Sequence, residues 1–212
     1  ADPFPALTRR SHHRMTMSLL SRLRLGPRLA AGFGALVAVM LLVALFALTR
    51  LSTLTDSLVL IGDDRVPKVQ MIVEVTDDVN LLAREMRNTL IYTDAASIDA
   101  AVATIDKARE EIARDLQALD ASITSPAGRE KLEALKSARE AYVPLQTRFI
   151  DLVRQNQRDE ARELLMQKVR PAQLAYVKAL DELKDFQVEL ILEAKREGLQ
   201  QYERAKLVLG IA

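Results

Sequence analysis

An apolar segment of twenty residues is the strongest feature near the start of the chain. Residues 29–48 carry no charged side chain, and Arg28 and Arg50 lie on either side of them. At about 1.5 Å per residue, an α-helix of this length crosses the roughly 30 Å hydrocarbon core of a bilayer. A cleaved signal peptide is the alternative, but its apolar core is about 7–15 residues long and leads to small residues at a cleavage site. The pattern therefore predicts a retained transmembrane helix over 29–48.

The chain from residue 50 to about residue 204 has a different pattern, in which apolar residues recur at alternating intervals of three and four. This spacing is that of one face of an α-helix, and it predicts four long helices. Short polar connections separate these helices at TDAAS, TSPAG and QNQRD. Pro67 predicts a kink or a slip of register in the first helix. We expect Ser97 to cap the second helix and Pro126 to begin the third.

Together these patterns predict an all-α protein, an antiparallel up-down four-helix bundle flanked by transmembrane helices. The predicted segments are an N-terminal stretch (1–28), a transmembrane helix (29–48), a helical bundle (49–205) and the start of a second, truncated transmembrane helix (206–212). The last of these rests on KLVLGIA, a new apolar run at the end of the chain.

The distribution of charge gives the expected orientation. Residues 1–49 contain six Arg and one acidic residue, whereas the remainder contains 24 basic and 28 acidic residues. Most of the upstream Arg lie within about 20 residues of the span, so we expect the N-terminus in the cytoplasm and the bundle on the other side of the membrane. A basic head joined to a mildly acidic body is not typical of a nucleic-acid-binding protein.

Three stretches of the sequence carry a resemblance to a known family. They are RLRLGPRLAAGFG at the start of the span, NLLAREMRNTL late in the first helix, and DEARELLMQKVRPAQLAY at the start of the fourth. From about residue 20 onward, the chain resembles the bacterial methyl-accepting chemotaxis receptors that have a four-helix-bundle sensory domain. The same module also occurs on sensor histidine kinases and cyclases, which remain alternatives.

The resemblance implies a location, a partner and a route for the signal. It places the protein in the bacterial inner membrane, with the sensory bundle in the periplasm. It implies a homodimer that packs through the first bundle helix and binds ligand near the end far from the membrane. The fourth helix would then signal to a cytoplasmic kinase complex through a C-terminal part beyond residue 212.

Counting residues back from the predicted connections places a set of polar side chains in one layer of the bundle. They are Asn80, Arg84, Arg87, Arg109, Tyr142, Gln146, Gln167 and Arg170. A guanidinium group binds a carboxylate through two parallel hydrogen bonds, so this layer predicts a site for a small carboxylate, either an organic acid or an amino acid. Related receptors contact ligand at positions equivalent to Arg84 and Arg87, but they often have a further Arg where this chain has Asp77 and Asp78.

The same residues also have structural interpretations. In these interpretations, Arg84 and Arg87 are solvated or face a dimer partner. Arg109 pairs with an acid or lies along a helix seam. Tyr142 suits the core and the site equally, and the two glutamines are more often surface residues.

Other functions lack the residues that they need. The chain has no Cys, and its two His, His12 and His13, lie in the N-terminal segment, so the bundle has no imidazole base and no His metal ligand. We expect no enzyme activity, no metal, no cofactor and no nucleic-acid partner. A structural spacer, or a bundle that binds another protein at its far end, remains an alternative of a different class.

Overall fold

A computed structural model describes residues 25–209, and every secondary-structure element in this range is helical. The predicted cytoplasmic segment lies outside it except for 25–28, as do the last three residues of the predicted second span. The elements are α1 (Leu25–Val59), a first π-helical turn (Leu60–Arg65), α2 (Val66–Ile91), α3 (Ala95–Ser122), α4 (Pro126–Arg154), α5 (Arg158–Leu164), a second π-helical turn (Leu165–Val169) and α6 (Arg170–Leu209).

The chain divides into two compact units, residues 1–52 and 53–212. In the first unit, the stretch Leu29–Thr49 of α1 is long and apolar enough to cross a membrane, and none of its side chains is buried. This stretch agrees with the predicted span over 29–48 to within one residue. Large apolar side chains of this stretch are exposed, with Phe33 at 71% and Leu42 at 66%.

The second unit is the four-helix bundle. Its first three helices are α2, α3 and α4, and the fourth is formed by α5, the second π-helical turn and α6 in succession. Only three residues separate α2 from α3, α3 from α4, and α4 from α5, so consecutive helices run antiparallel. All four helices contribute to one core, whose largest buried side chains include Ile72, Ile105, Phe149 and Tyr176.

Two of the turns are fixed by capping residues. The Asp94 carboxylate accepts a hydrogen bond from the backbone N–H of Ser97 at 2.8 Å, so Asp94 caps α3 and the expectation that Ser97 would do so is wrong. Asp94 precedes the helix with extended backbone, as a cap requires, whereas Ser97 already lies in its first turn. Pro126 begins α4 as predicted, behind a Ser125 cap that accepts from the backbone N–H of Gly128 at 3.2 Å.

Each π-helical turn ends two residues before a proline. Arg65 precedes Pro67 in this way, and Val169 precedes Pro171. A proline ring in a regular helix collides with the carbonyl four residues earlier, and widening the helix there relieves the collision. The predicted slip of register at Pro67 is therefore present as a π-helical turn.

A hydrogen bond joins the two turns at the end of the bundle opposite the α3–α4 turn. Arg158 Nη2 donates to the backbone carbonyl of Tyr92 at 2.6 Å, which ties the start of α5 to the α2–α3 turn. Asn156, in the α4–α5 turn, has a φ of 57°, a left-handed conformation that asparagine adopts more readily than most residues. We call this the distal end of the bundle.

Candidate ligand-binding site

A groove about 370 Å³ in volume lies between α2 and the fourth bundle helix, towards the distal end. Three of the eight predicted site residues line it, Asn80 and Arg87 from α2 and Arg170 from α6. Its other lining residues are Ala83, Leu165, Met166, Gln173 and Leu174. Arg170 reaches the groove because it begins α6, directly after the second π-helical turn, and its backbone N–H donates to the Leu165 carbonyl.

The two arginines of the groove have no partner of opposite charge. Within residues 25–209, neither the Arg87 side chain nor the Arg170 side chain takes part in an ion pair or a hydrogen bond. Most other basic residues of the bundle do pair, as Lys68 does with Asp64 at 2.6 Å. No acidic residue lines the groove. Two guanidinium groups on facing helices therefore remain available to an anion.

Polar and apolar side chains occupy different parts of the same groove. Gln173 Nε2 donates to Asn80 Oδ1 across the helix pair, at a long distance of 3.5 Å. Ala83 and Leu165 are buried, whereas Met166 and Leu174 are 53% and 58% exposed. Cationic, amide and apolar surface all meet in one concavity, which is the usual make-up of a small-molecule site.

Two further predicted residues, Arg109 and Gln146, form a separate cluster across the α3–α4 seam. Arg109 Nε donates to Gln146 Oε1 at 3.2 Å and Arg109 Nη2 donates to Thr147 Oγ1 at 3.1 Å, while Asp106 lies 3.6 Å from Nη1. The pairing interpretation of Arg109 is therefore the one that the structure supports. The expectation that Gln146 is a surface residue is wrong, because its side chain is 1% exposed and accepts from Arg109 within the bundle.

Tyr142 lies in the core next to this cluster. Its ring packs against that of Tyr176 with 5.9 Å between the centroids, and both rings are 1% exposed. The Tyr142 hydroxyl lies close to Gln146, but neither it nor Gln146 Nε2 makes a hydrogen bond of acceptable geometry among the described residues. Burial raises the pKa of Tyr142, and Gln146, Arg109 and Arg87 oppose this effect.

The last two predicted residues lie outside the groove. The Arg84 side chain is 62% exposed and comes within 4.0 Å of Glu85 on its own helix. Gln167 faces another cavity of about 300 Å³, between α4 and the α5 region, together with charged side chains such as Arg148 and Glu163. The predicted single layer is therefore divided among the groove, the α3–α4 seam and the bundle surface.

An acidic cluster lies elsewhere on the bundle, between α2 and α3. Five carboxylates and Arg114 line an open cavity of about 400 Å³ there, the acids being Glu74, Asp77, Asp78, Glu111 and Asp115. Burial raises the pKa of Asp78, and the other four carboxylates raise it further. No group of three or more His, Asp or Glu side chains in residues 25–209 has the arrangement needed to hold a metal ion.

A family model, described as a four helix bundle sensory module for signal transduction, matches residues 22–202. The chain belongs to this family. No curated protein matches the chain. Membership confirms the resemblance drawn from RLRLGPRLAAGFG, NLLAREMRNTL and DEARELLMQKVRPAQLAY, together with the all-α four-helix-bundle fold.

As a sensory module for signal transduction, the bundle has the task of receiving a signal. The groove joins the first bundle helix, which continues from the apolar helix α1, to the fourth, which runs to Leu209. Five lining residues of the groove were not predicted as site residues from the sequence: Ala83, Leu165, Met166, Gln173 and Leu174. The signal for three of them was their spacing, since Met166, Gln173 and Leu174 lie one turn before or after Arg170.

Proposed function

We propose that this protein is a transmembrane chemoreceptor whose bundle binds a small anionic organic molecule outside the cytoplasm. The observation that carries the proposal is the meeting of Arg87 and Arg170, from two different helices, in a groove without an acidic residue. Like charges on facing helices repel each other, and a carboxylate between them replaces this repulsion with two charge-assisted interactions.

The apolar helix supports a location in a membrane. Leu29–Thr49 has the length and composition of a span, and the six upstream arginines favour a cytoplasmic N-terminus. For a bacterial sensory module, this orientation puts the bundle in the periplasm and α1 in the inner membrane.

A stripe of exposed side chains on α2 supports a homodimer. Val66, Val73, Asn80 and Arg87 follow one another at intervals of seven residues, which places them on one side of the helix. Val66 and Val73 are 37% and 41% exposed, so they are available to a second copy of the chain. We propose that α2 packs against α2 of the partner along this stripe, which brings the groove close to the dimer interface.

The position of Arg170 supports a role of α6 in transmission. An anion held between Arg87 and Arg170 draws the start of α6 towards α2, and α6 is a continuous helix from Arg170 to Leu209. We propose that a small displacement of α6 passes the signal to a cytoplasmic kinase-control region.

Thermal unfolding of the full chain in detergent micelles tests the anion site. The titrants are organic acids and amino acids, each at concentrations up to the millimolar range. A ligand at 100 times its Kd adds about 2.7 kcal/mol to the free energy of unfolding, which raises the midpoint by several degrees. We expect Arg87→Ala and Arg170→Ala to abolish the shift.

Arg154→Ala is the matched control, because Arg154 is an exposed arginine in the last turn of α4 and does not line the groove. The unfolding midpoint of Arg154→Ala should rise with ligand as that of the wild type does. If no acid in the panel stabilises the wild type, or if Arg154→Ala removes the shift as fully as Arg87→Ala, the anion site is refuted.

A further inference from the structure

We infer that the ligand is a monocarboxylate with an apolar body, and that Met166 and Leu174 select for this body. The inference rests on the proposed function, since it concerns the same groove. It narrows the ligand from any small organic anion to one chemical class, and it excludes amino acids.

Exposed apolar surface beside the two arginines is the first observation. Met166 and Leu174 are 53% and 58% exposed, and both line the groove with Arg170 between them in sequence. Met166, Arg170 and Leu174 all line the same groove, so these side chains lie on one side of the fourth bundle helix. Ala83 and Leu165 add buried apolar surface to the same concavity. A ligand whose carboxylate reaches Arg170 therefore meets apolar side chains on either side of it.

The absence of acidic residues from the lining is the second observation. The ammonium group of an amino acid needs a carboxylate or several carbonyl acceptors to replace its hydration. The groove offers it two guanidinium groups and two amides, and the Asn80 amide oxygen already accepts from Gln173. An α-ammonium group would thus lie beside two cations, so an acid without an amino group is the better match.

The apolar surface also disfavours a second carboxylate. A dicarboxylate that uses one end on the arginines would bring its other end against Met166 or Leu174, and neither of these side chains can donate a hydrogen bond to it. Desolvation of an unpaired carboxylate is costly, whereas a methyl group in the same place gains from burial. The volume of about 370 Å³ lies at the small end of the range for small-molecule sites, so the body is short.

A homologous series of straight-chain acids from acetate to hexanoate measures this selection. Binding is measured by calorimetry on the full chain in lipid nanodiscs, with empty nanodiscs subtracted because longer acids enter lipid. Each buried methylene contributes about fourfold in affinity, so we expect Kd to fall by up to about fourfold per added carbon until the groove is filled. Butyrate should bind more tightly than succinate and more tightly than 2-aminobutyrate.

Substitutions in the groove separate the contribution of the apolar body from that of the carboxylate. Met166→Gln and Leu174→Gln should flatten the dependence of affinity on chain length, because they weaken the binding of hexanoate far more than that of acetate. Leu199→Gln is the matched control, since Leu199 is also on α6, is 55% exposed and does not line the groove. It should keep the full dependence on chain length.

The outcomes distinguish this inference from the proposed function. If acids bind in an Arg87-dependent manner but affinity does not rise with chain length, the apolar selection is wrong and the anion site stands. The inference also fails if 2-aminobutyrate binds as tightly as butyrate. If Leu174→Gln changes self-association but not the dependence on chain length, Leu174 belongs to a dimer interface and the inference is overturned. If no acid binds at all, the proposed function itself fails.

Discussion

At the scale of single residues, the Tyr142 hydroxyl is buried without a hydrogen-bond partner among the described residues. The neighbouring Gln146, in contrast, accepts a hydrogen bond from Arg109 through Oε1. A buried hydroxyl that makes no hydrogen bond loses its hydration without compensation. We expect Tyr142→Phe to leave the free energy of unfolding unchanged or to raise it by up to about 1 kcal/mol. Thermal unfolding followed by circular dichroism measures this, and Tyr202→Phe, at an exposed tyrosine, is the control.

Gln146→Ala should have the opposite effect. It removes the acceptor of Arg109 Nε and leaves a cavity in a buried position, so a loss of about 2–3 kcal/mol in the free energy of unfolding is expected.

A clear loss of stability in Tyr142→Phe would contradict the first of these two predictions. It would show that the Tyr142 hydroxyl has a partner, such as a bound water, in solution.

Asp78 gives the bundle a dependence on pH. Its pKa in the folded state is raised above the ordinary value of 3.8, first by burial and then by Glu111, Asp115, Asp77 and Glu74. A raised carboxyl pKa means that the folded state binds the proton more tightly than the unfolded state does. The ionised carboxylate therefore destabilises the fold above the raised pKa. This penalty is relieved as the pH falls through the raised pKa, and the relief is complete below 3.8.

We expect Asp78→Asn to raise the melting temperature at pH 7 and to reduce the gain in stability between pH 7 and pH 4.5. The measurement is the melting temperature of both proteins across this range. Asp99→Asn is the control, because Asp99 is an exposed acid on α3 outside the cluster. If the melting temperatures of Asp78→Asn and of the wild type change in parallel with pH, Asp78 is not the residue responsible for the pH dependence.

Both arginines that line the groove could be predicted from sequence, because long cations near a connection are visible in the sequence. The burial of Gln146 was missed although Gln146 lies one turn after the buried Tyr142, because a polar amide is expected at the surface until its partner is known. That partner, Arg109, is 37 residues away on another helix. Pairing across a seam depends on the rotation of two helices, which spacing within one helix does not determine.

At the scale of elements, the second π-helical turn explains why Gln167 and Arg170 lie apart. Counting residues from the connections placed both in one layer, and on a regular α-helix residues three apart also share a face. The wider turn at Leu165–Val169 changes the rotation between them, and they line different cavities. Pro171 was the sequence signal for this change, as Pro67 was for the first π-helical turn, but only Pro67 was recognised as one.

A single-residue deletion tests whether the π-helical turn holds one residue more than a regular helix. Deletion of Gln167 together with Pro171→Ala should convert the turn to α-helix and keep the packing faces on both sides, at a cost below about 2 kcal/mol. Deletion of Glu182 is the control, since it rotates the rest of regular α6 out of its packing and should unfold the bundle. Circular dichroism during heating measures the stability of the two deletion variants. An equal loss of stability in both variants would contradict the expectation.

At the scale of the whole molecule, the proposed dimer places α2 of one copy beside α2 of the other. A two-fold axis brings identical residues of the stripe together, and the chain contains no Cys that would interfere with cross-linking. We expect Val73→Cys to form a disulfide-linked dimer under mild oxidation in membranes, because facing Cα atoms then lie within about 7 Å. Non-reducing gel electrophoresis detects it.

Ser137→Cys is the control for this experiment, because Ser137 is exposed on α4, a helix outside the stripe. It should remain monomeric under the same conditions. Equal cross-linking at both positions would indicate random collision, and cross-linking only at Ser137 would place the interface on another face.

The exposure of the groove residues has a consequence for how such a protein changes over generations. Asn80, Arg87, Met166, Arg170 and Leu174 are all exposed, whereas the core that holds the bundle together is made of other side chains. Exchanges at exposed positions usually alter stability by less than about 0.5 kcal/mol. Mutation can therefore replace the residues that contact ligand one at a time without unfolding the protein. A lineage that carries this bundle is free to acquire a new chemical preference while it keeps the same scaffold.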